Sequence, residues 1–313
     1  MIKNIYGRHT FFFSVLAITF ALVALILEKN LLFFNDTLVL FFCLLLIISI
    51  GISHGAMDNH KAEKLLRIYK VNNKIIFFVI YILISCFVIF IWSLYASITL
   101  LTFLVVASYH FGREDTSFLN FENSYVDQFF YLVKGSFVVF CPLFFHFDET
   151  LKIFETLFLD QKVLVFLKEK HWIINFCLGS SIFGYLYFVY KNKLKDFEIL
   201  LLDMLVIIIL NFILSPLVAF TIYFCFLHSV RHIVSISFEL DPINFTNGLK
   251  SFIKKALPLT IVSACLYFLA IIFLVNFYGL NDVIVKVIFI GLASLTFPHI
   301  LLEYLIEINE KRN

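Results

Sequence analysis

Nine histidines occur in this chain of 313 residues, and five of them stand where an imidazole is costly. His228 and His232 form an HxxxH pair. A spacing of four puts both rings on one helix face, about 5–6 Å apart at Cβ, which is chelating geometry. His54, His110 and His299 each lie in or at the end of a long apolar run. Ionisable side chains in such runs are expensive and usually functional. Several neutral imidazoles gathered from different helices are what a transition metal binds. Carboxylates accompany them: Asp58 follows His54 by four residues, Asp115 follows His110 by five, and Glu303 follows His299 by four. A metal-bound histidine commonly donates its second N–H to such a group. His54, His110, His228, His232 and His299 are therefore candidate metal ligands. His299, Asp58, Asp115 and Glu303 stand as a fifth ligand or as supporting groups. Four imidazoles around an octahedral ion leave two open positions, which suits Fe(II) chemistry with O2 better than a closed structural site.

The remaining candidates read more plainly. Arg231 is expected to pair with one of these three acids or with a lipid phosphate. Cys225, three residues before His228, reads as a core thiol. His9, His146 and His171 fall at the ends of apolar runs and read as interfacial. His60 reads as a solvated loop residue.

Composition fixes the elements that must carry these groups. Hydrophobic residues make up 62% and charged residues 15%, against about 45–50% and about 25% for a soluble domain. Mean hydropathy is +0.98. The chain reads as an all-α, polytopic membrane helical bundle, a single transmembrane domain over 1–313. A soluble Rossmann or TIM-barrel enzyme, a secreted disulfide scaffold and a disordered regulator are excluded. So is an outer-membrane barrel, whose strands would alternate rather than stay apolar for about 20 residues. A net charge of +2 points away from a nucleic-acid partner. The six cysteines lie in or beside apolar runs with no CxxC pair, so they read as small buried hydrophobes.

Ten helical spans are expected: near 10–27, 38–53, two within 75–112, 126–147, 171–190, two within 197–233, 256–278 and 282–303. The doubled stretches should break near Ser93–Ala96 and at Ser215-Pro216. The mixed segment 150–169 reads as one interfacial helix. With ten spans and the N-terminus inside, seventeen Lys and Arg fall in inside segments and five in outside loops. That bias supports an N-in, C-in orientation in the cell inner (plasma) membrane. It also puts His54, His110, His228, His232 and His299 at one depth near the cytoplasmic face.

In order along the chain stand His54-Gly55-Ala56-Met57-Asp58, His110-Phe111-Gly112 with Asp115, His228-Ser229-Val230-Arg231-His232, and Pro298-His299. Together these motifs resemble the Brp/Blh family, the bacteriorhodopsin-related-protein-like β-carotene 15,15′-dioxygenases, over about residues 40–305. Ser53 departs from the proline expected before the first histidine. The resemblance implies oxygen-dependent central cleavage of β-carotene to two molecules of all-trans-retinal by non-haem Fe(II). It implies His54, His110, His228 and His232 as the iron ligands, Pro298-His299 as a further family motif, and retinal supplied to a microbial rhodopsin.

Three other readings predict different observations. A membrane di-iron desaturase or hydroxylase would need more histidines, in HxxxH and HxxHH clusters, whereas one HxxxH and no HxxHH occur here. A bis-histidine haem carrier would place histidine pairs across the bilayer rather than at one depth. A transporter would show inverted repeats and broken helices.

Overall fold

The computed structural model describes residues 2–30, 36–53, 55–119, 124–192, 194 and 196–310. All elements among them are helical. They are α1 (Ile2–Asn30), α2 (Asp36–Leu46), a π-helical turn (Ile47–Gly51), a 3-10 turn (Gly55–Met57), α3 (Asp58–Ile68), α4 (Ile75–Leu94) and α5 (Ala96–Glu114). A second 3-10 turn (Ser117–Leu119) precedes α6 (Tyr125–Gly135), α7 (Phe137–Phe145), α8 (Phe147–Thr156), α9 (Gln161–Glu169), α10 (His171–Lys191) and α11 (Phe197–Ile213). There follow α12 (Pro216–Ile222), a second π-helical turn (Tyr223–Ser229), α13 (Val230–Leu240), α14 (Phe245–Leu274) and α15 (Leu280–Glu310).

Eight stretches are long and apolar enough to cross a membrane: Lys3–Ile26, Asp36–Ile68, Ile75–Leu94, Tyr125–Phe145, His171–Lys191, Pro216–Leu240, Phe245–Leu274 and Leu280–Asn309. The protein is thus an all-α polytopic membrane protein. The ten segments expected from the sequence are all helical. The two outside the set of eight are α5, whose last turn carries His110, Arg113 and Glu114, and α11, which has 17 residues.

Burial separates central from peripheral helices. The Pro216–Leu240 window is 72% buried and the Leu280–Asn309 window 61%, against 11% for α4 and 6% for α14. The outward faces of α4 and α14, with Leu83, Phe87, Phe90, Leu266, Ile272 and Phe273, are apolar and exposed, as a lipid-facing surface requires. Three cysteines depart from the buried reading: Cys86 and Cys265 are exposed on these two helices, and Cys177 is half-buried. Cys225 is fully buried, as expected of a core thiol.

The chain breaks where its chemistry directs. Tyr95 leaves helical geometry between α4 and α5. Leu214 and Ser215 are extended before Pro216, the first residue of α12, because proline pushes its predecessor out of the helical region. The expected single interfacial helix over 150–169 is instead two, α8 and α9. Leu157–Asp160 separates them, Phe158 has a positive φ of 69°, and the Asp160 side chain accepts from the Lys162 N–H at 2.7 Å.

Two features set the positions of the histidines. The first is the crossing of α5 and α6. A Cβ on Gly112 would lie 1.8 Å from the Tyr131 carbonyl oxygen, and one on Gly135 would lie 1.7 Å from the Ser108 carbonyl oxygen. Only glycine at both places lets the backbones meet. The second is the packing of the two π-helical turns on each other. The Ser229 hydroxyl donates to the Gly51 carbonyl at 3.0 Å, and the Phe224 ring fills the space beside Gly51. π-turns inside α-helices are frequent at functional sites, and here one contains His228. His9 also serves this turn, with Nε2 2.9 Å from the Phe226 carbonyl oxygen. It is a packing residue rather than the interfacial one expected. His60 lies half-buried on α3 rather than in a loop.

Candidate metal centre

His54 lies outside the described residues. The other four histidines of the sequence-derived cluster come together from three helices. His110 comes from the last turn of α5, His228 from the second π-turn, His232 from α13 and His299 from the middle of α15. All four are buried. The His110 ring lies 5.1 Å from that of His228 and 5.2 Å from that of His299, centroid to centroid. The His232 and His299 rings are 5.9 Å apart.

Three of the four rings carry a buried or half-buried carboxylate on Nδ1. His228 Nδ1 lies 3.0 Å from Asp115 Oδ1, His232 Nδ1 lies 2.9 Å from Glu114 Oε2, and His299 Nδ1 lies 2.8 Å from Asp58 Oδ1. An ionised carboxylate only accepts, so each of these Nδ1 atoms bears a proton, and the Lys61 ammonium 3.3 Å from His232 Nε2 makes that nitrogen an acceptor. The acids are held in turn. Tyr223 donates to Asp115 Oδ2 at 2.7 Å and Tyr81 to Asp58 Oδ2 at 3.0 Å. Burial alone would raise the Asp115 carboxyl. The Lys134 ammonium and the His228 hydrogen bond outweigh it and hold it well below the usual carboxylate range.

The pairings differ from those expected along the chain. Asp115 serves His228 rather than His110. Asp58 serves His299, because helical geometry does not run on past Gly51; the chain turns through Gly55–Met57 and α3 begins at Asp58. Glu303 lies among three histidines: its Oε1 is 3.6 Å from His299 Nε2 and 3.9 Å from His232 Nε2, and its Oε2 is 3.8 Å from His110 Nδ1. Arg231 takes none of these acids and no lipid phosphate. It is fully buried and grips Asp203 of α11 through two 2.7 Å bonds, with Thr10 of α1 accepting from Nη2 at 2.5 Å. A two-pronged carboxylate is the natural match for guanidinium.

Sequence reasoning missed Glu114, Lys61 and Lys134. Glu114 stands four residues after His110, the spacing that singled out Asp58 and Glu303. Lys61 Nζ lies 2.6 Å from Glu303 Oε1 and 3.3 Å from His232 Nε2. Lys134 is buried within α6, 3.9 Å from Asp115 Oδ2 and over the Tyr185 ring.

The donor set fits a metal ion. His110, His299 and Glu303 offer ligand atoms all within 4.8 Å of one another, and so do Glu114, His232 and Glu303. Imidazole with carboxylate is a donor set that suits iron among the first-row metals. The surroundings of the cluster differ sharply. Phe111 and Phe224 pack on the His228 ring at 4.9 and 5.8 Å, and Phe220 stacks on Phe224. Elsewhere a polar cavity of about 420 Å³ reaches His232, Glu114 and Glu303, and none of these three phenylalanines lines it.

Comparison with known proteins identifies the family. The family model for β-carotene 15,15′-dioxygenase matches residues 45–307, a span that contains every group described above except Thr10. A β-carotene 15,15′-dioxygenase from uncultured marine bacterium 66A03 is 27% identical over 278 residues, covering 83% of this chain and 90% of its own. No solved structure matches the chain.

Proposed function

The chain belongs to the β-carotene 15,15′-dioxygenase family, and from that premise we propose that it splits β-carotene with O2 at the central 15,15′ double bond. The carbon–carbon double bond breaks, each end takes one oxygen atom, and two molecules of all-trans-retinal result. Fe(II) is the metal this site would hold, through His54, His110, His228 and His232, with His299 as a further imidazole. Bound iron supplies the one-electron chemistry that lets triplet O2 react with a closed-shell alkene.

The observation that carries this reading is the matched carboxylate on Nδ1 of His228, His232 and His299. It fixes one tautomer and one ring orientation in each case and makes the opposite nitrogen a stronger ligand. His299 shares the arrangement, so it belongs with the ligands. Glu303 lies among three of the rings and accepts from Lys61.

The residues around the cluster fit a substrate dissolved in the bilayer. Phe111, Phe220 and Phe224 make the apolar side on which a polyene would lie. They also keep water from the reacting carbons, which protects against side reactions of activated oxygen. The charged cavity is no path for a hydrocarbon. In a ten-span, N-in and C-in arrangement the cluster lies near the cytoplasmic face of the inner membrane. Retinal released into that membrane would be available to a microbial rhodopsin.

The test is expression in a bacterium that makes β-carotene, with chromatography of the extracted pigment. Loss of β-carotene matched by two equivalents of retinal is the expected result, with label from 18O2 in both halves. Longer apo-carotenals would move the cleavage site. Unchanged carotene beside folded, iron-loaded protein would refute the proposal.

A further inference from the structure

The polar cavity meets the cluster at one place. Its walls include Lys61, Glu114, His232, Glu239, Glu303 and Glu307, while His110 and His299 are not part of them. Glu303 belongs to two overlapping ligand sets, one facing the cavity (Glu114, His232, Glu303) and one deeper (His110, His299, Glu303). The acids at the cavity wall are bridged by flexible cations. Lys64 Nζ is 2.5 Å from Glu239 and Arg113 Nη2 is 2.8 Å from Glu307. Lys61 reaches furthest in: its ammonium donates to Glu303 Oε1 and to the basic nitrogen of His232. Those two atoms lie 3.9 Å apart, and a metal ion taken up between them needs both. The Lys61 ammonium and the ion therefore compete for one place, and the four-methylene stem of lysine lets the ammonium swing aside.

The chemistry of the cavity selects what passes through it. β-Carotene has no polar group to meet four carboxylates and three cations, and O2 partitions into lipid. A small hydrated divalent cation is drawn by acids and sheds water onto oxygen and imidazole ligands in steps. We propose that this cavity is the route by which the metal ion is loaded. His232 Nε2 and Glu303 form the landing site, with Glu114 holding the His232 ring through Nδ1; Lys61 guards it, and Glu303 hands the ion on to the deeper histidines. This inference rests on the metal centre of the proposed function.

The test uses the full-length protein in detergent, stripped by a chelator, with Co(II) as a coloured stand-in for Fe(II). Stopped-flow absorbance gives the uptake rate, and titration gives affinity and stoichiometry. Lys61→Met should speed uptake and tighten binding about tenfold, which corresponds to about 1.4 kcal/mol. Lys61→Arg should slow uptake by a similar factor, because a guanidinium fork holds a carboxylate more firmly than an ammonium does. If Lys61→Met does not fold, the arginine variant still decides. Rates and affinities unchanged in both variants would overturn the proposal. So would slower uptake in Lys61→Met, which would make Lys61 a support of the site. Two cobalt ions held per chain in the native protein would make the outer set a standing second site and also overturn it. No cobalt bound by any form would bring down the metal centre itself, a failure distinct from normal binding at an unaltered rate.

Discussion

Replacing Asp115 by asparagine should have two separable effects. Asp115 accepts from His228 Nδ1 at 3.0 Å and lies 3.9 Å from the Lys134 ammonium. Both it and Lys134 are buried, as are Arg231 and Asp203. These four groups amount to two positive and two negative charges in the core. The asparagine side chain keeps the shape but leaves one positive charge unmatched. Breaking a buried pair by removing one partner costs about 3–5 kcal/mol. Loss of a supporting carboxylate on a metal-bound histidine costs about 10–100-fold in metal affinity, or about 1.4–2.7 kcal/mol. Asp115→Asn should therefore lower both thermal stability and cobalt affinity. The double variant Asp115→Asn, Lys134→Met removes both charges, so stability should return to within about 1 kcal/mol, because apolar replacement of a buried pair is often neutral. Cobalt affinity should stay low in the double variant, because His228 still lacks its carboxylate. Thermal unfolding in detergent and cobalt titration on the same samples read the two effects. Recovery of both together would refute the separation. A single variant as stable as the native protein would show that Lys134 does not depend on Asp115.

His228→Ala and His232→Ala should each cut metal affinity by more than about 100-fold, beyond the range of a supporting group, and abolish retinal formation; metal analysis with circular dichroism would show loss of iron in a protein that keeps its helices. Arg231→Met should cost about 3–5 kcal/mol, because Asp203 is left charged in the core; a thermal shift no larger than that of a surface substitution would refute it. Gly112→Ala and Gly135→Ala should yield no monodisperse protein on size exclusion, since the added Cβ would sit 1.8 or 1.7 Å from a backbone oxygen, whereas Gly179→Ala, with nothing within 4 Å, should fold normally.

The helices and the histidine cluster were legible in the sequence for a physical reason. Apolar run length is set by the bilayer, and the HxxxH spacing is set by a single helix, so both are local quantities. The Lys and Arg bias then brought His110, His228, His232 and His299 to one depth, and their rings do meet. Partnership between helices was not legible. The spacing rule tied Asp58 to His54, but Asp58 bonds to His299, 241 residues away in sequence. It tied Asp115 to His110, but Asp115 bonds to His228, 113 residues away. A spacing of four says that two residues share a helix face; it does not say which neighbouring helix that face meets. Glu114 carried the same spacing signal from His110 and reaches across to His232. The splitting of 150–169 into α8 and α9 was hidden because its helical periodicity continues through the break.

The placement of these carboxylates makes the candidate metal centre a property of the helix packing. Each of the three Nδ1 bonds joins two different elements: the end of α5 to the second π-turn, α5 to α13, and α3 to α15. The His110 turn is held against α6 by Gly112 and Gly135, at the same end of α5 that supplies Glu114 and Asp115. A shift of α5 along α6 would therefore move His110 and the acids behind His228 and His232 together. Local loosening of one ligand alone is resisted, because its carboxylate comes from a helix that other ligands also hold. The cost is a core with several buried charges, and the bundle meets it by pairing each within reach: Lys134 with Asp115, Arg231 with Asp203, Lys61 with Glu303. Polar groups thus line the cavity at His232 and Glu303, while aromatic rings pack on His228. On the proposed function, that difference would let one site receive an ion from water and a hydrocarbon from lipid along separate paths.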